Sequence, residues 1–161
     1  MKGRFFGKVL VAGVIVGVLL VSAPIFAAEG NKTSADFLAE AREVIQEITV
    51  EEAYNDYFKP KKADVIFLDV READEVEAGH IPGASWIARG LIEFKIAGMF
   101  SDCNAQTIIV YCKSGGRSAL AAEILQEMGY TAISMDGGFV GWQEERYPVR
   151  KGGIAASAGG C

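Results

Sequence analysis

Histidine is almost missing from this chain: His80 is the only one in 161 residues. The three cysteines, Cys103, Cys112 and Cys161, form no CxxC pair and no cluster with that histidine. A structural zinc site draws four ligands from Cys and His, so none is expected here. Positive charge is also scarce, with 16 Lys and Arg against 21 Asp and Glu and a net charge of −5. Three of those cations, Lys2, Arg4 and Lys8, lie in the first 27 residues, which hold no acid. Without them the remainder keeps 13 cations against 21 acids, a net charge of −8. That balance excludes nucleic-acid binding through a basic surface and favours a soluble protein. Internal repeats are absent. The length suits one domain and is short for two.

The first 27 residues read as a signal peptide. A basic start is followed by an uncharged apolar run from Val9 to Val21, and then by Pro24 and the small residues Ala27 and Ala28. This is the pattern of a leader cleaved after Ala27 or Ala28. No cysteine lies near that point, which excludes a lipid-anchored form. The expected location is therefore exported and periplasmic, with no membrane contact after cleavage. The other reading is a retained N-terminal anchor, because Val9 to Ala28 is 20 uncharged residues, about the length a spanning helix needs. An odd number of cysteines in an exported chain leaves at least one thiol unpaired, or paired between chains.

Beyond the leader, residues 28–48 form an expected helical extension. Phe37, Leu38, Ala41, Val44, Ile45 and Ile48 recur at helical spacing from Asn31 onward, and Thr33 with Asp36 suits a cap. Thr49-Val50-Glu51-Glu52 is a capping box that starts a second short helix reaching about Phe58. Four strands are expected: Val65–Val70, Ala84–Ile87, Thr107–Tyr111 and Thr131–Met135. Helices are expected over Glu72–Ala78, Leu91–Ile96, Ser118–Met128 and around Trp142. Strands alternating with helices imply an α/β fold, a parallel sheet with helices on both faces. Ligands then bind beyond the carboxyl ends of the strands, where Asp69 and Cys112 fall. Residues 150–161 are rich in Gly and Ala and read as a flexible tail.

The chemistry concentrates where the strand Thr107–Tyr111 runs into Cys112-Lys113-Ser114-Gly115-Gly116-Arg117-Ser118. Adjacent glycines let backbone N–H groups turn inward. The following helix start adds unpaired N–H donors and partial positive charge, as Lys113 and Arg117 add full charge. A cysteine at the head of such a loop is held as the nucleophilic thiolate. Taken alone, the loop fits an ordinary glycine-rich turn beside a buried cysteine equally well.

The surrounding motifs separate these readings. The Cys112–Ser118 segment resembles the active-site loop of the rhodanese superfamily. So do Asp69-Val70-Arg71-Glu72, Gly79-His80-Ile81-Pro82-Gly83-Ala84 and Gly137-Gly138-Phe139-Val140-Gly141-Trp142, in the family's order, over about residues 50–148. The resemblance implies one rhodanese domain, here bounded at 49–149, with a five-stranded parallel sheet. It also implies no cofactor or metal, and a catalytic Cys112 cycling through a persulfide. The six residues from Cys112 to Arg117 match the loop length of sulfur-transferring members, phosphatase-like members having one more. The expected partners are a small sulfur donor, thiosulfate, and a cyanide or thiol acceptor. The alternatives are a persulfide carrier without rapid turnover, mercaptopyruvate sulfur transfer, and arsenate reduction.

Several side chains keep two readings. Arg117 binds substrate or holds the loop through a carboxylate. Ser114 and Ser118 donate to the persulfide, or Ser118 caps the helix. Asp69 and Arg71 read as a structural ion pair at the mouth of the sheet, His80 as a fixture of its turn, and Trp86 and Trp142 as core or rim. Arg89 is a candidate anion contact. Cys103 precedes its strand and belongs at the far end of the sheet from Cys112. Cys161 lies in the tail and reaches another thiol or is unused.

Overall fold

The apolar runs that read as strands place alternate side chains on opposite faces, and two cores result. In the computed structural model, which describes residues 30–100 and 106–154, five strands form one fully parallel sheet. They are β1 (Gln46–Ile48), β2 (Val65–Asp69), β3 (Ser85–Trp86), β4 (Thr107–Tyr111) and β5 (Thr131–Met135), in the spatial order β1-β5-β4-β2-β3. Leu68, Val70, Ile108, Val110, Cys112 and Ala132 enter one core, and Phe67, Ile109, Tyr111, Ile133 and Met135 the other. Because both faces are buried, these strands read as near-continuous apolar runs.

Parallel neighbours need crossover connections, and helices supply them. Helices α4 (Ile92–Met99) and α5 (Gly116–Glu127) cover the first core with Ile92, Ile96, Ala121, Ala122 and Leu125. On the other face lie α2 (Val50–Glu52), a π-helical segment (Ala53–Phe58) and α6 (Gly138–Glu144), through Val50, Ala53, Phe139 and Trp142. Trp142 is fully buried, and its indole N–H donates to Pro148 O at 2.8 Å. Burying a Leu, Ile or Phe side chain fully contributes about 1.5–3 kcal/mol. Helix α3 (Ala73–Ala78) follows β2, and α1 (Ser34–Val44) lies against α5.

The expected helix from Asn31 to Ile48 stops at Val44, and Gln46–Ile48 is the edge strand β1, paired with β5 from Gln46↔Ile133 to Ile48↔Met135. Pairing covers the open side of β5 and buries Ile48, whereas Val44 stays 66% exposed. Short apolar runs do not distinguish strand from helix, so only the partner strand decided this. Both expected capping arrangements are present. Asp36 Oδ2 accepts from Thr33 N, and Glu52 Oε2 from Thr49 N, each at 2.7 Å. These bonds hold both carboxyls below the usual range. Helix α5 starts at Gly116, two residues before the expected Ser118. The first residues of the expected flexible tail are docked: Gly152 N donates to Glu77 O, and Ile154 packs on the second core. The leader, Cys103 and Cys161 lie outside the described residues. Among the described residues, no helix is long and apolar enough to cross a membrane.

At the carboxyl end of β2, Asp69 is fully buried and Arg71 is 3% exposed. Arg71 Nη2 donates to Asp69 Oδ2 at 2.6 Å and to Gly79 O at 2.7 Å, and Nε donates to Oδ1 at 2.9 Å. Its guanidinium carbon lies 4.0 Å from the Phe139 ring centroid. Burial alone would lower the Arg71 pKa, but the hydrogen bonds and charge of Asp69 outweigh it and raise it. This is the expected structural ion pair. Asp69→Asn leaves a buried cation without its counter-ion, so unfolding free energy should fall by about 3–5 kcal/mol in urea denaturation. The double change to Asp69→Leu and Arg71→Met should cost less than that single change. A loss under about 1 kcal/mol for Asp69→Asn would mean that the pair behaves as a solvated surface bridge.

Candidate active site

Cys112 follows directly on β4, the strand flanked by β5 and β2. Its residue is 1% exposed, and its Sγ accepts a hydrogen bond from Gly115 N at 3.2 Å. Gly115 has φ +103°, a left-handed conformation that a side chain would strain. A Cβ there would also lie 2.9 Å from Asp136 Oδ1. The turn this glycine permits lets the chain reverse and enter α5 immediately.

The inward orientation of the loop's amides has a second cause, in α6. Phe139 N donates to Cys112 O at 2.8 Å, and Val140 N donates to Lys113 O at 3.0 Å. A trans peptide points its N–H opposite its C=O. Turning those two carbonyls toward α6 therefore turns the N–H groups of Lys113 and Ser114 the other way. Gly138, at φ +56°, makes the approach feasible: a Cβ on it would lie 2.6 Å from Cys112 O and 2.7 Å from Ser114 N. Helix α5 contributes further donors. Its first intrahelical bond runs from Ala119 N to Gly115 O at 3.0 Å, so the amides of Gly116, Arg117 and Ser118 precede it. The whole is an anion cradle whose floor is Cys112 Sγ.

Among the side chains, Lys113 and Ser114 are exposed on the loop's outer edge. Ser118 is fully buried, donates to Gly115 O at 2.9 Å, and accepts from Ser134 Oγ at 3.1 Å. Its hydroxyl braces the loop from beneath. Arg117 forms a two-pronged pair with Glu75 of α3, Nη1 to Oε2 at 2.7 Å and Nη2 to Oε1 at 2.9 Å. Of its two readings, this geometry supports the carboxylate clamp. Arg89 follows β3, its backbone N–H donating to Val70 O, and its Nη1 lies 3.5 Å from Glu93 Oε1 while its Nε is buried without a partner. His80 is buried in its turn, with backbone bonds to and from Arg150 at 2.8 and 2.9 Å. Trp86 donates its indole N–H to Arg71 O at 2.9 Å. Tyr111 Oη accepts from Ile81 N at 3.2 Å, and burial, then Asp69, push its pKa well up. No group of three His, Cys, Asp or Glu side chains among the described residues can hold a metal ion.

Sequence reasoning did not find Glu75, Gly138's contact or Ser134. Glu75 is 42 positions from Arg117 and belongs to a run of acids, so nothing local marks it.

The hydrogen bonds from Arg117 hold the Glu75 carboxyl below its usual range. A depressed carboxyl stabilises the fold above its unfolded pKa and loses that contribution as pH falls through the folded value. Both groups are partly exposed, so the contribution is about 1 kcal/mol or less. Thermal melts of the wild type and Glu75→Gln should therefore differ most near neutral pH. The gap should close on acidification through the depressed Glu75 range. A gap that does not change with pH would separate Glu75's effect from its charge.

Comparison with known proteins follows the same geometry. A family model described as "Rhodanese-like domain" matches residues 49–145. The thiosulfate sulfurtransferase GlpE of Pseudoalteromonas translucida is 38% identical over 83 residues, 51% of this chain and 76% of the relative. A solved protein of Rhodopseudomonas palustris, described as a possible tyrosine phosphatase, is 30% identical with a TM-score of 0.70, covering 76% of this chain and 97% of that one. The polysulfide-sulfur transferase homodimer of Wolinella succinogenes is 28% identical with a TM-score of 0.60, covering 71% and 84%. A family model spanning more than half the chain, on a five-stranded parallel sheet ending in a cysteine cradle, makes this chain a member of the rhodanese-like domain family of sulfurtransferases.

Proposed function

We propose that this sulfurtransferase takes the sulfane sulfur of thiosulfate onto Cys112 and passes it to a thiophilic acceptor, cyanide or a thiol. The observation that carries the reading is the Gly115 N–H on Cys112 Sγ at 3.2 Å, at the head of a six-residue loop whose first two carbonyls are drawn away to α6. The Cys112 thiolate attacks the outer sulfur of thiosulfate. A new S–S bond forms, the old one breaks, and sulfite leaves with the electron pair. The persulfide's outer sulfur then takes Sγ's place as the charged atom facing the N–H donors. Cyanide attacks that sulfur, thiocyanate departs, and the thiolate returns, with no external oxidant or reductant. A thiol acceptor leaves as a persulfide by the same displacement.

In this reading Arg117 shapes the loop through Glu75, because both of its Nη groups donate there. Lys113, exposed at the rim, attracts the dianion, and the part-exposed Arg89 guanidinium is a further candidate contact. Ser114, Gly115, Gly116 and Ser118 complete the binding loop. Short loop length favours sulfur over phosphate, since one sulfur atom needs a smaller ring of donors than a tetrahedral group. We further propose export to the periplasm, with residues 1–27 as leader and 49–149 as the catalytic domain. The basic, apolar and small-residue order of that segment supports it.

Thiosulfate should add one sulfur atom to the intact mass of the wild type, and none to Cys112→Ser, which should also release no sulfite. Sulfite release by that variant at the wild-type rate would sink the mechanism, as would strong aryl-phosphate hydrolysis by the unmodified chain. N-terminal sequencing of protein from its native host should begin at Ala28 or Glu29. A chain starting near Met1 and extracted only by detergent would establish the retained anchor instead.

A further inference from the structure

The family model begins at residue 49, yet α1 lies before it and borders the cysteine loop. Leu38 Cδ2 would lie 3.8 Å from a Cβ on Gly116. Four residues on, Arg42 Nη2 reaches Asp136 Oδ1 at 3.5 Å and its Nε reaches Glu47 Oε2 at 3.2 Å. Asp136 is the acid that leans on the loop, its Oδ1 lying 2.9 Å from a Cβ position on Gly115, whose N lies 3.2 Å from Cys112 Sγ. With backbone bonds of about 1.5 Å, that carboxylate sits at most about 9 Å from the sulfur. A carboxylate so close opposes both the thiolate and any approaching anion. That is about one Debye length at physiological salt, and because Cys112 is buried the interaction is screened less than between two exposed charges.

We infer that Arg42 is a positioning residue for the anion site: it acts through Asp136, holding that carboxylate against α1 and offsetting its charge beside the loop. Glu47, which shares the guanidinium and keeps its Oε1 buried without a partner, fixes Arg42 from the sheet side. The extension thus makes the cradle receptive to anionic donors. The choice of thiosulfate as the donor rests on the function proposed above, whereas the field at Cys112 does not.

Two alkylating agents read that field without sulfur transfer. Anionic iodoacetate and neutral iodoacetamide both consume the Cys112 thiolate, so their rate ratio cancels its ionisation and reports charge at the site. Arg42→Met should lower the iodoacetate to iodoacetamide ratio about two- to fivefold at low salt, and less at 0.5 M salt, about the scale Coulomb's law gives at this distance. Adding Asp136→Asn should restore the ratio, which a merely structural role of Arg42 would not allow. For thiosulfate, Arg42→Met should raise KM about fivefold or more with kcat little changed, because the effect is on binding a dianion. An unchanged ratio in a natively folded Arg42→Met protein would overturn the inference. So would a lowered ratio that Asp136→Asn fails to restore. If the ratio falls in Arg42→Met and is restored by Asp136→Asn but the wild type releases no sulfite, the thiosulfate reading fails and the role of Arg42 stands.

Discussion

The close crossing of α6 over the cysteine loop is the contact on which the site depends. Two N–H groups of α6 take the carbonyls of Cys112 and Lys113, and Gly138 lies so near that a single added carbon would meet the loop backbone at 2.6 Å. Carbonyls pointing into the cradle would repel a thiolate or an anionic donor. With those two carbonyls turned outward, the N–H groups of Lys113 and Ser114 face away from α6, and Gly115 N donates to the sulfur itself. The arrangement is preorganised, since α6 is held by the fully buried Trp142 and by Phe139, which also lies under the Arg71 guanidinium. Donors fixed in this way need not reorganise when charge develops on sulfur.

Charge is handled in tiers around that backbone cradle. Deepest is the Asp69–Arg71 pair, dry and satisfied by Gly79 O, which ties the end of β2 to the following turn. Next, half-exposed, is Glu75–Arg117, joining α3 to the first turn of α5. Outermost is Arg42 between Asp136 and Glu47. The two inner tiers match one carboxylate to one arginine, and in the outermost a single arginine serves two carboxylates, so the acids nearest the loop are each held by a cation. The local charge comes from backbone dipoles and a few exposed cations, and the overall charge does not predict it.

The N-terminal extension joins this scheme through packing. Helix α1 lies on α5, and β1 extends the sheet beside β5. Leu38 and Arg42 reach the loop region from there. A segment outside the family's core pattern is thereby available to tune how the core meets its substrates.

The strands β2, β4 and β5, the capping boxes at Thr33 and Thr49, and the Cys112 loop could all be read from the residues. Their signals are local: runs of β-branched residues, a hydroxyl three positions before an acid, a cysteine ahead of paired glycines. The same local logic anticipated the pairing of Asp69 with Arg71, two residues apart, and the structure added that the pair is buried. It failed at Ile45–Ile48, where helical spacing continued but hydrogen bonding to β5 prevailed, and at Gly116, which joined the helix. Arg117's partner, the bracing of Ser118 by Ser134, and the approach of Gly138 were decided only by tertiary structure. Each joins positions distant in the chain, and which carboxylate meets which arginine depends on how the helices pack across the sheet. The sequence alone determined the kind of chemistry available, a thiol at a strand end before a helix. The packed structure determined which way the surrounding peptides face, because that orientation is held by hydrogen bonds from a helix more than 20 residues further along.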